Sequence, residues 1–159
     1  MVGMTKESIE LKNVKVAHHM SEETTAFTAT LYINGKKAAH VKNDGRGGDN
    51  HPWFLDREVE KEFHAFCASL PVEKDEWHIE NNLEPSPMSY DSFIGRLLEV
   101  WMEKDDWKKA CRKGLVYLLK SKGSEIYYTT KAPYSAVLAK QVREKHGDDL
   151  MEIINERFL

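Results

Sequence analysis

The dipeptide Asn34-Gly35 constrains the fold of this chain more than any other short stretch. Both residue types tolerate positive φ, which the two-residue turn of an antiparallel hairpin requires. Residues 25–33 before the turn alternate between apolar and polar side chains, and residues 36–41 after it read as a returning strand. Residues 8–18 alternate more loosely, with a bulge expected near Asn13. The first third of the chain therefore predicts an antiparallel sheet.

In the next segment, the spacing of the apolar residues changes from every second residue to the spacing typical of a helix. The apolar residues of segment 55–70 follow helical spacing, with Asp56 as the cap and Pro71 as the stop. Residues 71–89 form an acidic connection with three of the five prolines, either a lid or a disordered insertion. Within it, residues 77–79 are expected to form a short strand. Ser89 is expected to cap another helix, which Asp105-Asp106 interrupts and Gly114 ends.

The last third predicts a second hairpin and two more helices. Segments 115–119 and 125–130 read as strands joined by residues 120–124, a helix runs from Pro133 to Gly147, and a final helix follows Asp148. The fold class is therefore α+β. We expect one antiparallel sheet of about five strands, containing two hairpins and packed by four to five helices, in a single domain over residues 1–159.

Composition restricts the partners and the compartment. The formal charge of −3 disfavours a nucleic acid as the partner, although residues 73–91 are acidic and residues 103–131 are basic. Two cysteines without metal spacing suit reduced thiols in a cytoplasm, and no apolar stretch suggests a membrane span or signal peptide. His18, His19, His40 and the pair His64 and Cys67 lack diagnostic ligand spacing, so neither a metal nor another cofactor is expected.

The chain carries five distinctive short stretches, at residues 31–37, 43–48, 131–135, 147–150 and 155–157. Together they resemble a group of small proteins encoded by bacteriophages and prophages. The resemblance extends over most of the chain outside the acidic connection, and it brings no established catalytic residues. It implies expression in the cytoplasm of a bacterial host. It also implies a role against host defence, either by sequestering a nucleotide signal or by binding a host protein.

The polar segment 43–53 is the main candidate for a site. Three glycines within four positions give the backbone freedom to approach a ligand, and their N–H groups beside Arg46 can form an anion-binding nest. The segment matches neither a P-loop nor a dinucleotide fingerprint. Its polar side chains can hydrogen-bond a sugar or a base, and Trp53 can stack on a base. The candidate residues are Asn43, Asp44, Gly45, Arg46, Gly47, Gly48, Asp49, Asn50, His51 and Trp53. The alternative is a turn whose Asp and Asn residues cap the backbone, with Trp53 in the core.

A second candidate surface is the basic hairpin of the last third. Lys120 and Lys122 flank its turn, and an exposed Tyr128 next to them can stack on a base while the amines meet phosphate. Alternation places Tyr127 and Tyr128 on opposite faces, so at most one is expected to be buried. The alternative is an amphipathic hairpin with a solubilising turn.

Three functional hypotheses follow. The preferred one is a non-catalytic binder that sequesters a phosphorylated small molecule, such as a nucleotide immune signal. The second is an inhibitor that binds a host defence protein directly, with the acidic segment 73–91 as its contact surface. The third is a phosphodiesterase that uses Asp44, Asp49 and His51. Catalysis is disfavoured because no nucleophile motif or metal cluster is visible. Self-association stays open.

Overall fold

The computed structural model describes residues 3–72 and 74–159. It divides into two compact units, one ending at Glu99 and the other comprising Val100–Leu159. Both units combine antiparallel strands with helices, which confirms the α+β class. The prediction of one five-stranded sheet is wrong, because the strands form separate sheets of four and three strands. The single-domain assignment stays a prediction.

The first unit contains a four-stranded meander. Its strands are β1 (Ile9–Val16), β2 (Phe27–Ile33), β3 (Lys36–Asn43) and β4 (His51–Phe54), hydrogen-bonded in that order. Asn34 and Gly35 take φ values of 51° and 77°, as the predicted turn requires. Asn13 also has positive φ, and the β1–β2 register shifts between Lys12 and Lys15, which confirms the bulge.

One face of this sheet forms the core of the first unit. Alternation along β2 buries Phe27, Ala29, Leu31 and Ile33, and the same face continues with Ala39 and Val41 on β3. Helix α1 (Arg57–Ser69) begins at Asp56, whose side chain accepts a hydrogen bond from the Glu58 N–H at 2.8 Å. Its Phe63 is fully buried against the rings of Phe54 and Phe93. Leu55 lies outside the core and is 70% exposed.

Two helix predictions need correction. Residues 77–79 belong to a short helix, α2 (Glu76–Glu80), because the Asp75 side chain caps the His78 N–H at 2.9 Å and starts a turn. Helix α3 (Tyr90–Lys113) continues through Asp105-Asp106 without a break. An aspartate inside a helix costs only a fraction of a kcal/mol, up to about 0.7, and Asp105 also pairs with Lys109 at 2.8 Å. Ser89 caps this helix as predicted, by accepting from the Ser92 N–H.

The second unit contains strands β5 (Val116–Leu119), β6 (Tyr127–Thr129) and β7 (Leu150–Ile153), in the order β6-β5-β7. Helix α4 (Ala136–His146) begins after its cap Ser135 and ends at Gly147. The predicted final helix is wrong: β7 pairs with β5, and a 3₁₀ segment (Ile154–Phe158) follows. Buried Asn155 fixes this arrangement, since its side chain accepts from the Val116 N–H and donates to the Gly114 carbonyl.

Within the described ranges 3–72 and 74–159, no helix is long and apolar enough to cross a membrane.

Candidate functional site

The glycine-rich segment connects two paired strands and is organised by one buried side chain. Asn43, at the end of β3, is 6% exposed. Its Oδ1 accepts from the Gly45 N–H at 2.8 Å and from the Thr24 hydroxyl at 2.9 Å. Its Nδ2 donates to the Gly48 carbonyl at 3.1 Å and to the Asn50 Oδ1 at 3.0 Å. Asn43 thus closes the loop on itself and also joins it to Thr24 before β2.

Gly45 is required for the path of the backbone. Its φ is 81°, and a Cβ placed there would lie 2.3 Å from the Met20 carbonyl oxygen. Its own carbonyl accepts from the N–H groups of Glu22 and Glu23 at 3.0 and 2.9 Å. Gly47 also has positive φ, at 89°. The first two glycines therefore serve the loop conformation.

The other end of the loop is attached to the start of α3. The Asn50 backbone N–H donates to the Asp91 carboxylate at 2.8 Å, and the Asn50 side chain donates to the Asp91 carbonyl at 3.1 Å. The Tyr90 hydroxyl donates to the Asp49 carboxylate, and this hydrogen bond, together with partial burial, raises the pKa of Tyr90 to about 12. Asp49 and Asn50 thus hold the loop in place.

Arg46 is the cation at the tip of this loop. Its side chain is exposed and makes no hydrogen bond or ion pair with any of the residues described. The neighbouring Asp44 carboxylate, by contrast, pairs with Lys42 Nζ at 3.2 Å. Gly48 has open space around its Cα. The tip of the loop therefore offers one unpaired positive charge on a backbone that is fixed at both ends.

His51 and Trp53 lie on β4 and point away from the core. Trp53 is 52% exposed. The His51 ring contacts the Trp53 ring edge-on, with centroids 4.5 Å apart. The ring of His40, the cross-strand neighbour of Trp53, has its centroid 6.3 Å from that of the indole. Asp49 Oδ2 lies 3.9 Å from His51 Nδ1. These contacts restrict the indole, which stays half-exposed.

The side chains around Trp53 belong to a larger exposed surface, the outer face of the first sheet. Pairing register places them on the side opposite the buried alternation. The outer face carries basic, aromatic and hydroxyl side chains and one acid: Glu10, Lys12, Lys15, Thr28, Thr30, Tyr32, Lys37, His40, Lys42, His51 and Trp53. Most of these residues are not among the predicted site residues. They occupy the polar alternate positions of the strands whose apolar positions predicted the core.

The structure places the second predicted surface in the other unit. Lys120 and Lys122 lie in an exposed 3₁₀ turn after β5, where Asp149 fixes Ser121 through bonds of 2.9 and 2.7 Å. Tyr128 is half-buried and stacks on Tyr117 with centroids 5.5 Å apart, whereas Tyr127 is exposed. The prediction that at most one of the two tyrosines is buried is confirmed, but Tyr128 presents less free ring surface than expected.

Two other features of the described residues bear on the chemistry. Among them, no group of three or more histidine, cysteine or acidic side chains is arranged to hold a metal ion. A groove of about 640 Å³ lies near the Asn34-Gly35 turn and the start of α1. It is lined by none of the thirteen predicted site residues; its lining includes Met4, Ile33, Lys36, Leu55 and Val59.

No family model, curated protein or solved structure matches the chain.

Proposed function

We propose that this protein binds a nucleotide or a related phosphorylated molecule at the surface formed by the glycine loop and β4, without converting it. The observation that carries the proposal is Trp53, a half-exposed indole in contact with two histidines, beside a loop whose Arg46 pairs with none of the described side chains. Stacking on the indole would recognise the base, and Arg46 would meet the phosphate.

The fixed position of the indole favours binding. Trp53 sits on a strand rather than a flexible loop, and its contacts with His51 and His40 restrict its rotation. A side chain that is already ordered loses less conformational entropy when a base stacks on it. Base–aromatic stacking contributes roughly 1–3 kcal/mol per base. The half-exposed Trp53 indole on β4 is therefore suited to stack on a planar ligand.

Arg46 complements this ring with charge. Its guanidinium can form two parallel hydrogen bonds with a phosphate, which a lysine cannot match geometrically. Because Arg46 has no partner among the described side chains, binding would not require breaking an ion pair. Asn43, Asp49 and Asn50 then act as supports that hold the loop at the end of β4, which revises their expected role as ligand contacts.

In the phage setting that the sequence resemblance implies, such a protein would sequester a nucleotide signal of a host defence system in the bacterial cytoplasm. The alternative phosphodiesterase activity would use Asp49 and His51. Their side chains lie 3.9 Å apart, but Asp49 also accepts from Tyr90, and Asp44 pairs with Lys42. This usage favours binding over turnover.

The test is calorimetric titration of the protein with mono-, di- and cyclic nucleotides, with each mixture analysed for turnover. We expect at least one of them to bind, and Arg46→Ala to weaken that binding by roughly 1.5–3 kcal/mol. The melting temperature of unliganded Arg46→Ala should match the wild type, since an exposed arginine contributes little to folding. Failure of every nucleotide to bind would contradict the proposal, and conversion of a bound nucleotide would replace it with the enzyme hypothesis.

A second candidate function is supported by the acidic segment. Helix α2 exposes Trp77 and Ile79, which are 59% and 65% exposed, and Leu83 just after it is 45% exposed. Aromatic side chains in a polar surround are typical anchors of protein interfaces. A basic site on a host protein would fit these residues and their acidic neighbours. Loss of a host partner on Trp77→Ala, with retention on Trp53→Ala, would favour this function.

A further inference from the structure

Extending the proposed function, on which this inference rests, we infer that the preferred ligand is a short single-stranded nucleic acid lying across the outer face of the first sheet. A mononucleotide would occupy only the Trp53 end of that face. The inference follows from the position of a second aromatic ring, from the distribution of charge over the four strands and from the small side chains next to Tyr32 on β2.

The second ring is Tyr32. Pairing register places Tyr32 opposite Lys37 on β3, and Trp53 opposite His40 on the same strand. Both rings are therefore on the outer face, but they belong to strands on either side of β3. Two interstrand steps separate them by roughly 9–10 Å across the sheet. One base cannot stack on both rings, so two rings in this arrangement suit two bases of one chain.

The charge on the outer face suits the phosphate backbone of a single-stranded nucleic acid. It carries four lysines against the single acid Glu10. Two of the lysines are engaged, since Lys12 pairs with Glu10 at 3.6 Å and Lys42 with Asp44 at 3.2 Å. Among the described side chains, Lys15, Lys37 and Arg46 form no ion pair. A chain with a net charge of −3 thus has one basic face.

Small side chains follow Tyr32 along its own strand, whereas Lys37 and His40 of β3 lie between the two rings. Thr28 and Thr30 share the outer face with Tyr32 along β2, and they add hydroxyl groups without bulk. Lys12 Nζ lies 4.6 Å from the centre of the Tyr32 ring. A base would have to displace this ammonium group. An exposed cation–π contact is weaker than base stacking, and the displaced Lys12 would be close to the phosphates.

The test compares a labelled oligothymidylate of about twelve nucleotides, a length that one single-strand-binding fold can cover, with thymidine monophosphate and with a duplex of equal length. Fluorescence anisotropy and calorimetry give the affinities. We expect the single strand to bind at least ten-fold more tightly than the monophosphate and more tightly than the duplex. Its log affinity should fall with log salt with a slope of about −2, which corresponds to three phosphate contacts on a single strand.

Two variants locate the contact. Tyr32→Ala should weaken binding of the single strand about ten-fold. It should leave the affinity for the monophosphate unchanged, because that ligand needs only Trp53 and Arg46. Lys37→Gln should reduce the salt slope by about 0.7. Lys61→Gln is the matched control, since Lys61 is an exposed lysine on α1, which covers the opposite side of the sheet. Melting temperatures of all variants separate lost binding from lost folding.

Each outcome has one interpretation. Equal affinity for the single strand and the monophosphate, a preference for the duplex, or full single-strand affinity in Tyr32→Ala would overturn the inference and leave the proposed function intact. If neither thymidine monophosphate, any other nucleotide nor the single strand binds, the proposed function fails, and this inference fails with it.

Discussion

The side-chain nitrogen of Asn43 donates to the side-chain oxygen of Asn50 at 3.0 Å, so the two ends of the glycine loop are joined directly. Asn43 faces the interior of the loop, and Asn50 continues the connection to Asp91 on α3. The rigidity of the candidate site depends on this chain of hydrogen bonds. Most polar side chains of the loop therefore stabilise it, and Arg46 stays available for a ligand.

Asn43→Ala should lower the free energy of unfolding by about 2–3 kcal/mol, because it leaves the Gly45 N–H and the Gly48 carbonyl without their partner in a largely buried position. Urea unfolding measures the change. Asp44→Ala, one residue further on, is the control: it removes an exposed ion pair that contributes at most about 1 kcal/mol. Equal destabilisation by the two substitutions would show that Asn43 does not organise the loop.

Gly45→Ala should cost at least about 2 kcal/mol, since alanine is strained at positive φ and its Cβ would lie 2.3 Å from the Met20 carbonyl oxygen. Gly48→Ala has open space and ordinary φ, so it should leave stability unchanged or raise it by up to about 1 kcal/mol. Thermal unfolding of the two variants tests the contrast. If Gly48→Ala proves as harmful as Gly45→Ala, the loop follows a different path.

Phe63→Ala should lower the free energy of unfolding by roughly 3–5 kcal/mol, the range for truncating a core phenylalanine. The ring is 0% exposed and packs against Phe54 and Phe93. Leu55→Ala provides the comparison because Leu55 is 70% exposed, and it should change stability by less than about 0.5 kcal/mol. A small effect at Phe63 in urea unfolding would mean that the register of α1 is wrong.

Glu152 makes stability depend on pH in the second unit. Two hydrogen bonds from Arg157, at 2.8 and 2.6 Å, hold the pKa of Glu152 below its ordinary value of 4.5. A lowered pKa in the folded state means that the carboxylate stabilises the fold above about pH 4.5 and loses this effect as the pH falls. The stability gap between wild type and Glu152→Gln should therefore be larger at pH 7 than at pH 3.

Denaturant unfolding at both pH values measures this gap. Glu144→Gln is the control, since Glu144 forms an exposed single ion pair with Lys140 at 4.0 Å and should show little difference at either pH. A gap for Glu152→Gln that is independent of pH would show that the ion pair with Arg157 does not form in solution.

Local sequence signals predicted the parts of the fold that local physics determines. Asn34-Gly35 has its conformation because few other pairs tolerate positive φ at both positions, and Asp56 starts α1 because its side chain satisfies a free N–H group. For the residues from Leu150 onward, the local signal predicted the wrong element. Their apolar spacing suits a helix, but pairing of β7 with β5 and the hydrogen bonds of Asn155 favour a strand. Such contacts between distant residues leave no local signal.

The candidate site was predicted in part for the same reason. The composition of residues 43–53 predicted a site in the loop. It could not predict that the Asn43 side chain donates a hydrogen bond to Asn50, or that the Asn50 N–H donates one to Asp91. The outer face was present in the sequence as the polar half of each alternating strand. It was overlooked because the net charge of the chain averages a basic face with acidic segments elsewhere.

Fluorine NMR of protein labelled with 5-fluorotryptophan tests nucleotide recognition by Trp53 most directly. The chain has four tryptophans, Trp53, Trp77, Trp101 and Trp107, so four resonances are expected, and Trp53→Phe assigns the one that matters. Titration with the tightest nucleotide, or with the oligothymidylate, should shift the Trp53 resonance to saturation and leave the exposed Trp77 unmoved. A ligand that shifts Trp77 and not Trp53, or that shifts none of the four resonances, would contradict the account.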